Sequence, residues 1–363
     1  MEIRQLVSYI APGAPATRRL AEGNEPFLRP EIGFTPSWYR QTLDISFHEK
    51  FHRNPAYRAV CLRKMRKELQ RRFPGTHIGG IQWKDHPLDL LTGTYGACTI
   101  AAIFGIPILY DENGWPTSAP QYLDIPQLAR LEPPDLDRNP HFQELMEQVA
   151  WIRKEEGTVD GFINWQGVLN NAQRLRGEML FLEMKEEPDL ARHIFSCVAE
   201  TMADAIRRLH IAQEDAGFLP RFITVSNCCV NMISPKTYQE LLAPLDRRLA
   251  EVYRCIGIHN CSWSATPYLE VYAGVPWVGY IDMGIKSSLA RARQLFPHAR
   301  RGLMYTPMDL ATRSLEEIRA DLEKVAADYG PADIVLADIE AGTPDEKVKA
   351  VYDLYRQWED VLR

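Results

Sequence analysis

The chain has 363 residues, of which 45% are hydrophobic and 25% are charged. This composition is typical of a globular protein with enough length for one large domain or two medium ones. The net charge of -6 argues against a protein that binds nucleic acid by electrostatic attraction.

The N-terminus does not have the pattern of a signal peptide. Residues 1–10 include charges and no long apolar core, and prolines follow at positions 12 and 15. No stretch of the sequence approaches the roughly 18 apolar residues that cross a bilayer. We therefore expect a cytoplasmic protein without a membrane partner. Its seven cysteines are expected to be thiols or metal ligands rather than disulfides.

Residues 1–75 are predicted to form a helical N-terminal extension. Prolines interrupt its first half, and an amphipathic segment follows from about Pro55 to Arg72. Residues 76–363 are expected to form a second unit, because short apolar runs alternate there with helical stretches. One of these helices is predicted to start after Ser234 as N-cap, with Pro235 at its first position.

Eight short runs in residues 76–363 predict β-strands, because they are β-branched or glycine-rich and are separated by helices. The runs are residues 78–81, 97–100, 162–165, 222–225, 255–258, 278–281, 302–305 and 334–337. Alternation of strands and helices indicates a parallel sheet, and eight strands close a (β/α)8 barrel. The predicted fold is therefore α/β, a single TIM barrel with an N-terminal helical extension.

Polar or metal-binding side chains follow nearly every predicted strand. They are Asp85, His86, Asn164, Trp165, Gln166, Ser226, Asn227, Cys228, Cys229, His259, Cys261, Asp282, Tyr305, Asp338 and Glu340. Active sites of TIM barrels lie at the C-terminal ends of the strands. The predicted site is therefore at that end of the barrel.

His259 and Cys261 form the most informative pattern among these residues. Imidazole and thiolate are ligands that zinc prefers. Residues two apart in an extended segment point to the same side, so both side chains are able to face one ion. The alternative is that the two residues only contribute to packing. The pair predicts a metal site at the end of the fifth run.

Several local patterns along the chain are found together in one known family. They are IGFTPSWY at 32–39, FHRNPAYR at 51–58, GVLNNA at 167–172, LRGE at 175–178, ISPKTY at 233–238, HNCS at 259–262 and GTPDE at 342–346. Together they resemble the uroporphyrinogen decarboxylase superfamily, in particular its cobalamin (corrinoid)-dependent methyltransferase branch. The resemblance covers most of the chain.

The sequence departs from this family in two respects. Decarboxylases of porphyrinogens carry an Arg-Gln-Ala-Gly-Arg run that binds substrate carboxylates, and here only Arg40-Gln41 remains. The zinc methyltransferases have a later cysteine as third ligand, and Ala337 stands near that position. Since a catalytic zinc takes about three protein ligands, the remaining donors are expected among Cys228, Cys229, Asp338 and Glu340.

The resemblance implies a zinc-dependent methyltransferase that moves a methyl group between a small substrate and a corrinoid protein. The substrate is expected to be a methoxy, methylamine or thiol compound, with the metal as Lewis acid. The expected catalytic residues are Asp282, Tyr305 and Asn164, and the expected substrate-binding residues are Trp165, Gln166, Asn227 and Trp263. A homodimer is a possible assembly.

Two other functions stay open. One is a metal-free decarboxylase of a tetrapyrrole, which would act through aspartate and arginine groups; the reduced arginine run argues against it. The other is a non-catalytic protein that binds a corrinoid or porphyrin in the barrel, and Ala337 favours it because the third ligand of the family is missing there.

Overall fold

A computed structural model describes residues 20, 21, 23, 27–76, 78, 88–220 and 223–358. The predicted strand at 78–81, apart from Ile78, lies outside the described residues, as do Asp85 and His86. No helix in the described ranges has both the length and the apolar character to cross a membrane.

The β-strands are short and most of them lie in the second half of the chain. They are β1 (Leu28–Phe34), β2 (Ile108–Leu109), β3 (Thr117–Ser118), β4 (Ile223–Ser226), β5 (Ile256–His259), β6 (Val278–Gly284), β7 (Arg300–Met304) and β8 (Ala332–Ile339).

Helices precede, separate and follow these strands. In the described chain they are α1 (Pro36–Leu43), α2 (Glu49–Arg53), α3 (Pro55–Arg72), α4 (Thr99–Ile103), α5 (Ile125–Leu128), α6 (Pro140–Glu156), α7 (Val168–Arg176), α8 (Met179–Glu186), α9 (Pro188–Asp215), α10 (Pro235–Leu241), α11 (Ala243–Tyr253), α12 (Leu269–Ala273), α13 (Leu289–Leu295), α14 (Pro307–Thr312), α15 (Leu315–Tyr329) and α16 (Asp345–Leu354). Short 3-10 helices occupy Val230–Met232, Thr266–Tyr268 and Tyr355–Trp358.

Six strands form one parallel sheet in the order β1-β8-β7-β6-β5-β4. Strands β2 and β3 form a separate antiparallel pair. Nearly every residue of β8 is buried, as expected for a strand that is covered on both faces of a parallel sheet. The predicted α/β architecture with a parallel sheet is confirmed. The predicted strands at 222–225, 255–258, 278–281, 302–305 and 334–337 correspond to β4 to β8.

Two predicted strands are wrong. Residues 97–100 lead into helix α4, whose buried apolar residues gave no periodicity that separates a helix from a strand. Residues 162–165 are largely buried but form no regular strand. They lie between Gly161, with φ of 110°, and Gln166, with φ of 59°, and these two conformations interrupt an extended ladder.

Strand β1 was not predicted, and it corrects the expectation that the N-terminal region is purely helical. Pro30 lies within β1, and proline is tolerated in edge strands because it has no N–H to donate. β1 pairs with β8 alone, so it is an edge of the described sheet. The predicted domain boundary between residues 75 and 76 stays a prediction.

A buried ionic cluster links β1, β7 and β8. Arg300 donates to Asp333 from Nε at 2.7 Å and from Nη2 at 2.8 Å, and Arg29 donates to the same carboxylate. Burial opposes the charge of Asp333, but the two guanidinium groups outweigh it and hold its pKa well below the usual range. The cluster therefore fixes the first strand of the sheet against the last two.

Several helices begin as the sequence predicts. Helix α3 has the predicted bounds, and Ser234 caps α10 by accepting a hydrogen bond from the Thr237 amide at 3.0 Å. The sequence also predicts a last helix from Pro344 to Leu362 with Thr343 as N-cap, whereas α16 begins at Asp345 and Pro344 is its N-cap residue.

Candidate active site

The candidate site lies where β4 and β5 end side by side. In the register of these parallel strands Ser226 pairs with His259, and the Asn227 amide donates to the His259 carbonyl at 2.7 Å. Cys228 and Cys261 each follow the paired residue of their own strand by two positions. The equal offset brings both cysteines to the same end of the sheet.

Three side chains meet there. The sulfurs of Cys228 and Cys261 are 2.9 Å apart, and the Cys261 sulfur is 3.2 Å from Nε2 of His259. The two sulfurs and a ring nitrogen of His259 all lie within 4.8 Å of one another. His259 is completely buried, whereas both cysteines are partly exposed. The structure therefore brings together His259, Cys261 and one of the two predicted neighbouring cysteines.

Asp282, in β6, holds the imidazole of His259 from behind. Its Oδ2 is 2.7 Å from Nδ1 of His259, and its Oδ1 accepts a hydrogen bond from the Asn260 amide at 2.8 Å. Tyr280 donates its hydroxyl to Oδ2 at 2.9 Å. With the Nδ1 proton directed at this carboxylate, the Nε2 atom faces the cysteines. Asp282 therefore lies behind the histidine as a positioning residue.

The charges of the three side chains are coupled. A hydrogen bond from Cys261 lowers the pKa of Cys228 to about 5, against the effect of burial. The same hydrogen bond, together with burial, raises the pKa of Cys261. Burial opposes the charge of His259, but Asp282 and the Cys228 thiolate outweigh it and raise the pKa of His259 to about 10. The cluster therefore holds a thiolate at Cys228.

Three residues at strand ends or in the irregular run have a left-handed backbone. Cys261 has φ of 53°, Asp338 of 60° and Gln166 of 59°, although none is glycine. This conformation costs energy for residues with a side chain, and it is enriched at functional sites. Cys261 has this conformation where its sulfur contacts Cys228 and His259.

Two buried polar contacts support the loops that carry the cysteines. Asn227 donates to Asp246 on α11 at 3.5 Å, and Tyr272 on α12 donates to Asn260 at 2.7 Å. Burial raises the pKa of Asp246 to about 6. The sequence analysis did not identify Asp246 or Tyr272, because both lie within helices and only the fold brings them behind the site.

The other predicted metal donors lie apart from the three clustered atoms. Cys229 does not belong to the cluster, its amide is bound to Oδ1 of Asn170, and burial raises its pKa to about 11. Burial and the nearby charge of Glu340 raise the pKa of Asp338 to about 6. Glu340 is exposed and accepts a hydrogen bond from Thr35 at 3.3 Å. Their roles as further donors stay predictions.

The predicted catalytic residues Tyr305 and Asn164 have partners outside the cluster. Tyr305 donates its hydroxyl to Asp321 on α15 at 2.8 Å, which directs it toward the helical layer. Oδ1 of Asn164 accepts hydrogen bonds from the amide of Gln166 at 3.2 Å and from its side chain at 3.0 Å. These contacts make Asn164 and Gln166 supports for the strained segment at 164–166.

The predicted substrate-binding aromatics differ in their surroundings. Trp165 is buried, with its carbonyl accepting a hydrogen bond from Asn171 at 2.9 Å. Trp263 packs edge to face on Tyr268 at 5.4 Å. Its buried Nε1 has no hydrogen-bond partner in the described part of the chain. Trp263 is two residues beyond Cys261, and the substrate-binding roles of both tryptophans stay predictions.

Ala337 stands near the position of the later cysteine of the zinc methyltransferases, and its side chain is directed into the core. The residue is buried in β8 and packs with Val335 and Met304. Among the described residues, the side chain that completes a cluster with His259 and Cys261 is that of Cys228, at the end of β4.

Comparison with known families agrees with this fold. The sequence pattern of the family described as uroporphyrinogen decarboxylase (URO-D) matches residues 80–358. The chain belongs to this family. No curated protein sequence matches the chain closely enough to add a relative.

Solved structures add a likeness of fold to the family assignment. A methyltransferase from Methanosarcina mazei is 15% identical, covers 92% of this chain and 94% of its own, and gives a TM-score of 0.65. A putative vitamin-B12 independent methionine synthase from Listeria monocytogenes and a B12-independent methionine synthase from Shewanella sp. W3-18-1 each give a TM-score of 0.40. The Listeria protein is 15% identical and covers 62% of this chain and 71% of its own. The Shewanella protein is 13% identical and covers 60% of this chain and 66% of its own. The Methanosarcina structure supports the predicted fold class.

Proposed function

We propose that this member of the uroporphyrinogen decarboxylase family is a zinc-dependent methyltransferase that moves a methyl group between a small substrate and a corrinoid protein. The observation that carries the proposal is the convergence of Cys228, His259 and Cys261 within 4.8 Å at one end of the sheet. The Methanosarcina protein of similar fold is a methyltransferase, which supports the reaction class.

The chemistry of the donor set fits zinc. Two sulfurs and one imidazole nitrogen are ligands that this ion prefers, and three protein ligands leave a position open for a substrate. Both cysteines are partly exposed, so a small molecule is able to approach from that side. A bound zinc would act as a Lewis acid on a thiol acceptor or a methyl donor.

The protein's own residues prepare the site in three ways. Asp282 holds the proton on Nδ1 of His259 and leaves Nε2 for the ion, as carboxylates behind metal-binding histidines commonly do. Cys228 supplies a sulfur whose pKa, about 5, makes it a thiolate at neutral pH. We propose that Asp338, at the end of β8, serves as a further oxygen donor to the ion.

The metal-free decarboxylase is less well supported. A substrate with several carboxylates requires basic residues that face it. Arg29 and Arg300 are the arginines in strands β1 and β7 whose guanidinium groups enter the buried cluster, and both are bound to Asp333. The corrinoid partner, the homodimer and the cytoplasmic location stay parts of the proposal.

Metal content tests the proposal directly. We expect about one zinc per chain in protein dialysed against zinc and then freed of excess metal. A His259→Ala, Cys261→Ser double variant is expected to lose this zinc while its circular dichroism stays native. Cys229→Ser is the matched control, because the adjacent thiol lies outside the cluster, and it is expected to keep the zinc.

Wild-type protein that holds no zinc under these conditions would contradict the metal site. The reaction is tested with methylcobalamin as methyl donor and small thiols as acceptors. Demethylation of methylcobalamin changes its visible spectrum. Conversion in the wild type and its loss in the double variant support methyl transfer. Zinc binding without conversion in the presence of thiol, amine or methoxy compounds would favour the binding protein instead.

A further inference from the structure

The two sulfurs at the site lie close enough to form a disulfide bond. Cys228 and Cys261 have their Sγ atoms 2.9 Å apart, and each thiol is free and partly exposed. A disulfide bond is about 2.05 Å long. The two atoms therefore need to approach by only about 1 Å to form one.

The backbone geometry suits such a bond. Cys228 and Cys261 each lie two residues beyond the register pair Ser226 and His259 of adjacent parallel strands. Neighbouring strands are spaced about 4.8 Å apart, so the paired residues Ser226 and His259, two positions before the cysteines, lie within the Cα separations of about 4.4–6.8 Å that disulfides span. The Asn227 amide, bound to the His259 carbonyl at 2.7 Å, holds the two strand ends together up to the residue before Cys228.

The neighbouring thiol does not have this geometry. Cys229 has its amide bound to Asn170 at 3.1 Å, and its sulfur lies outside the group of metal-competent atoms. Consecutive residues thus place two thiols in different surroundings, and only one of them faces Cys261. This makes Cys229 an internal control for any reaction of the pair.

We propose that Cys228 and Cys261 are a site of reversible oxidation, joined into a disulfide by a hydroperoxide. In this step the two thiols lose their hydrogens and a sulfur–sulfur bond forms. The oxygen–oxygen bond of the hydroperoxide breaks and yields an alcohol, or water, and a further water. A dithiol reverses the step by exchange and is itself oxidised to a disulfide.

The oxidation would act on the same residues that are proposed to hold zinc, so this consequence rests on the proposed function. A disulfide sulfur has no thiolate charge and is a poor zinc ligand. Of the three donors only His259 would remain. Zinc binding and the disulfide therefore exclude each other, and oxidation inactivates a metal-dependent enzyme until a dithiol reduces it.

The experiment uses the full chain, freed of metal with a chelator and treated with hydrogen peroxide. We expect the free thiols, counted after denaturation, to fall from seven to five, and a peptide map to link Cys228 with Cys261. Dithiothreitol is expected to restore all seven. Cys229→Ser is expected to form the same link, and Cys228→Ser is expected to form no cross-linked peptide. Zinc added before the peroxide is expected to protect the pair.

Different results would overturn the inference. Seven thiols that persist after peroxide, or a link that involves Cys229 in place of Cys228, would show that the pair is not the oxidised site. The zinc content of untreated protein separates this failure from that of the proposed function. A disulfide in a protein that never holds zinc leaves the modification standing and removes only its effect on the metal.

Discussion

At the scale of single residues, the carboxylate behind His259 is expected to decide how tightly the proposed site holds zinc. Asp282 accepts hydrogen bonds from Nδ1 of His259, from the Asn260 amide and from the Tyr280 hydroxyl. We expect Asp282→Asn to lower zinc affinity by about 10–100-fold, because the histidine loses its charged partner. Competition with a chromophoric chelator measures the affinity.

Asp321→Asn is the matched control for this prediction. Asp321 also accepts a hydrogen bond from a tyrosine hydroxyl, that of Tyr305 at 2.8 Å, but on a helix away from the cluster. The zinc affinity of the Asp321→Asn variant is expected to equal that of the wild type. An unchanged affinity in Asp282→Asn would show that the carboxylate does not orient the histidine.

The sequence revealed individual residues of the cluster better than the residues that support them. His259 and Cys261 were identifiable because an imidazole and a thiol two residues apart on a strand face the same side. The sequence did not show whether Cys228 or Cys229 joins them, because that depends on the register between β4 and β5. Asp282 was predicted to be catalytic, and the structure shows it behind His259 rather than beside a substrate.

At the scale of elements, the close approach of helix α7 to the end of β4 sets the position of Cys228. A Cβ atom on Gly167, just before α7, would lie 2.7 Å from the Asn227 Oδ1 and 2.7 Å from the Ser226 carbonyl. We expect Gly167→Ala to displace the end of β4, with a loss of about 1–3 kcal/mol in the free energy of unfolding. Zinc affinity is expected to fall about 10-fold or more, since one ligand moves.

Chemical denaturation and metal titration measure the two effects. Gly342→Ala is the control, because no atom of the described residues, apart from its chain neighbours, lies within 4 Å of the Cβ position there. It is expected to change neither quantity. If Gly167→Ala binds zinc like the wild type, the position of Cys228 does not depend on the contact between α7 and β4.

Elements whose ends carry local signals were predictable, and elements defined by pairing were not. Ser234-Pro235 marked the start of α10 through a cap and a proline at the first helical position. The run at 97–100 was buried and apolar, and such a run is consistent with a strand or a helix until its neighbours are known. β1 contains Pro30 and became recognisable only through its pairing with β8.

At the scale of the whole molecule, buried histidines make stability depend on pH. Burial lowers the pKa of His210 to about 4, and it lowers those of His52 and His141 to about 3 and 4. In the unfolded chain the pKa of histidine is about 6.5. The unfolded state therefore binds protons between pH 6.5 and 4 that the folded state does not, and stability falls as the pH falls through this window.

His210→Gln tests the contribution of one of these groups. The free energy of unfolding of both proteins is expected to fall between pH 7 and pH 4. We expect the fall to be about 3 kcal/mol smaller in the variant than in the wild type. The raised pKa values of Asp246 and Asp338 act in the opposite direction, but they are common to both proteins and cancel in the difference. Denaturant unfolding at a series of pH values gives the comparison.

The exposed His298 provides the control, since His298→Gln is expected to leave the pH profile unchanged. Parallel profiles of His210→Gln and the wild type would contradict the prediction. They would mean that His210 takes up its proton at the same pH in the folded and unfolded chain.

The pairing of β1 with β8 has a consequence for synthesis of the chain. Arg29 and Asp333 are 304 residues apart, so a ribosome that adds about 5–20 residues per second exposes the first strand roughly 15–60 s before its partner exists. During that delay the nascent strand is a template on which other chains could assemble. Pro30 removes one hydrogen-bond donor from this strand, and so makes it a poorer template for pairing with other chains before β8 is synthesised.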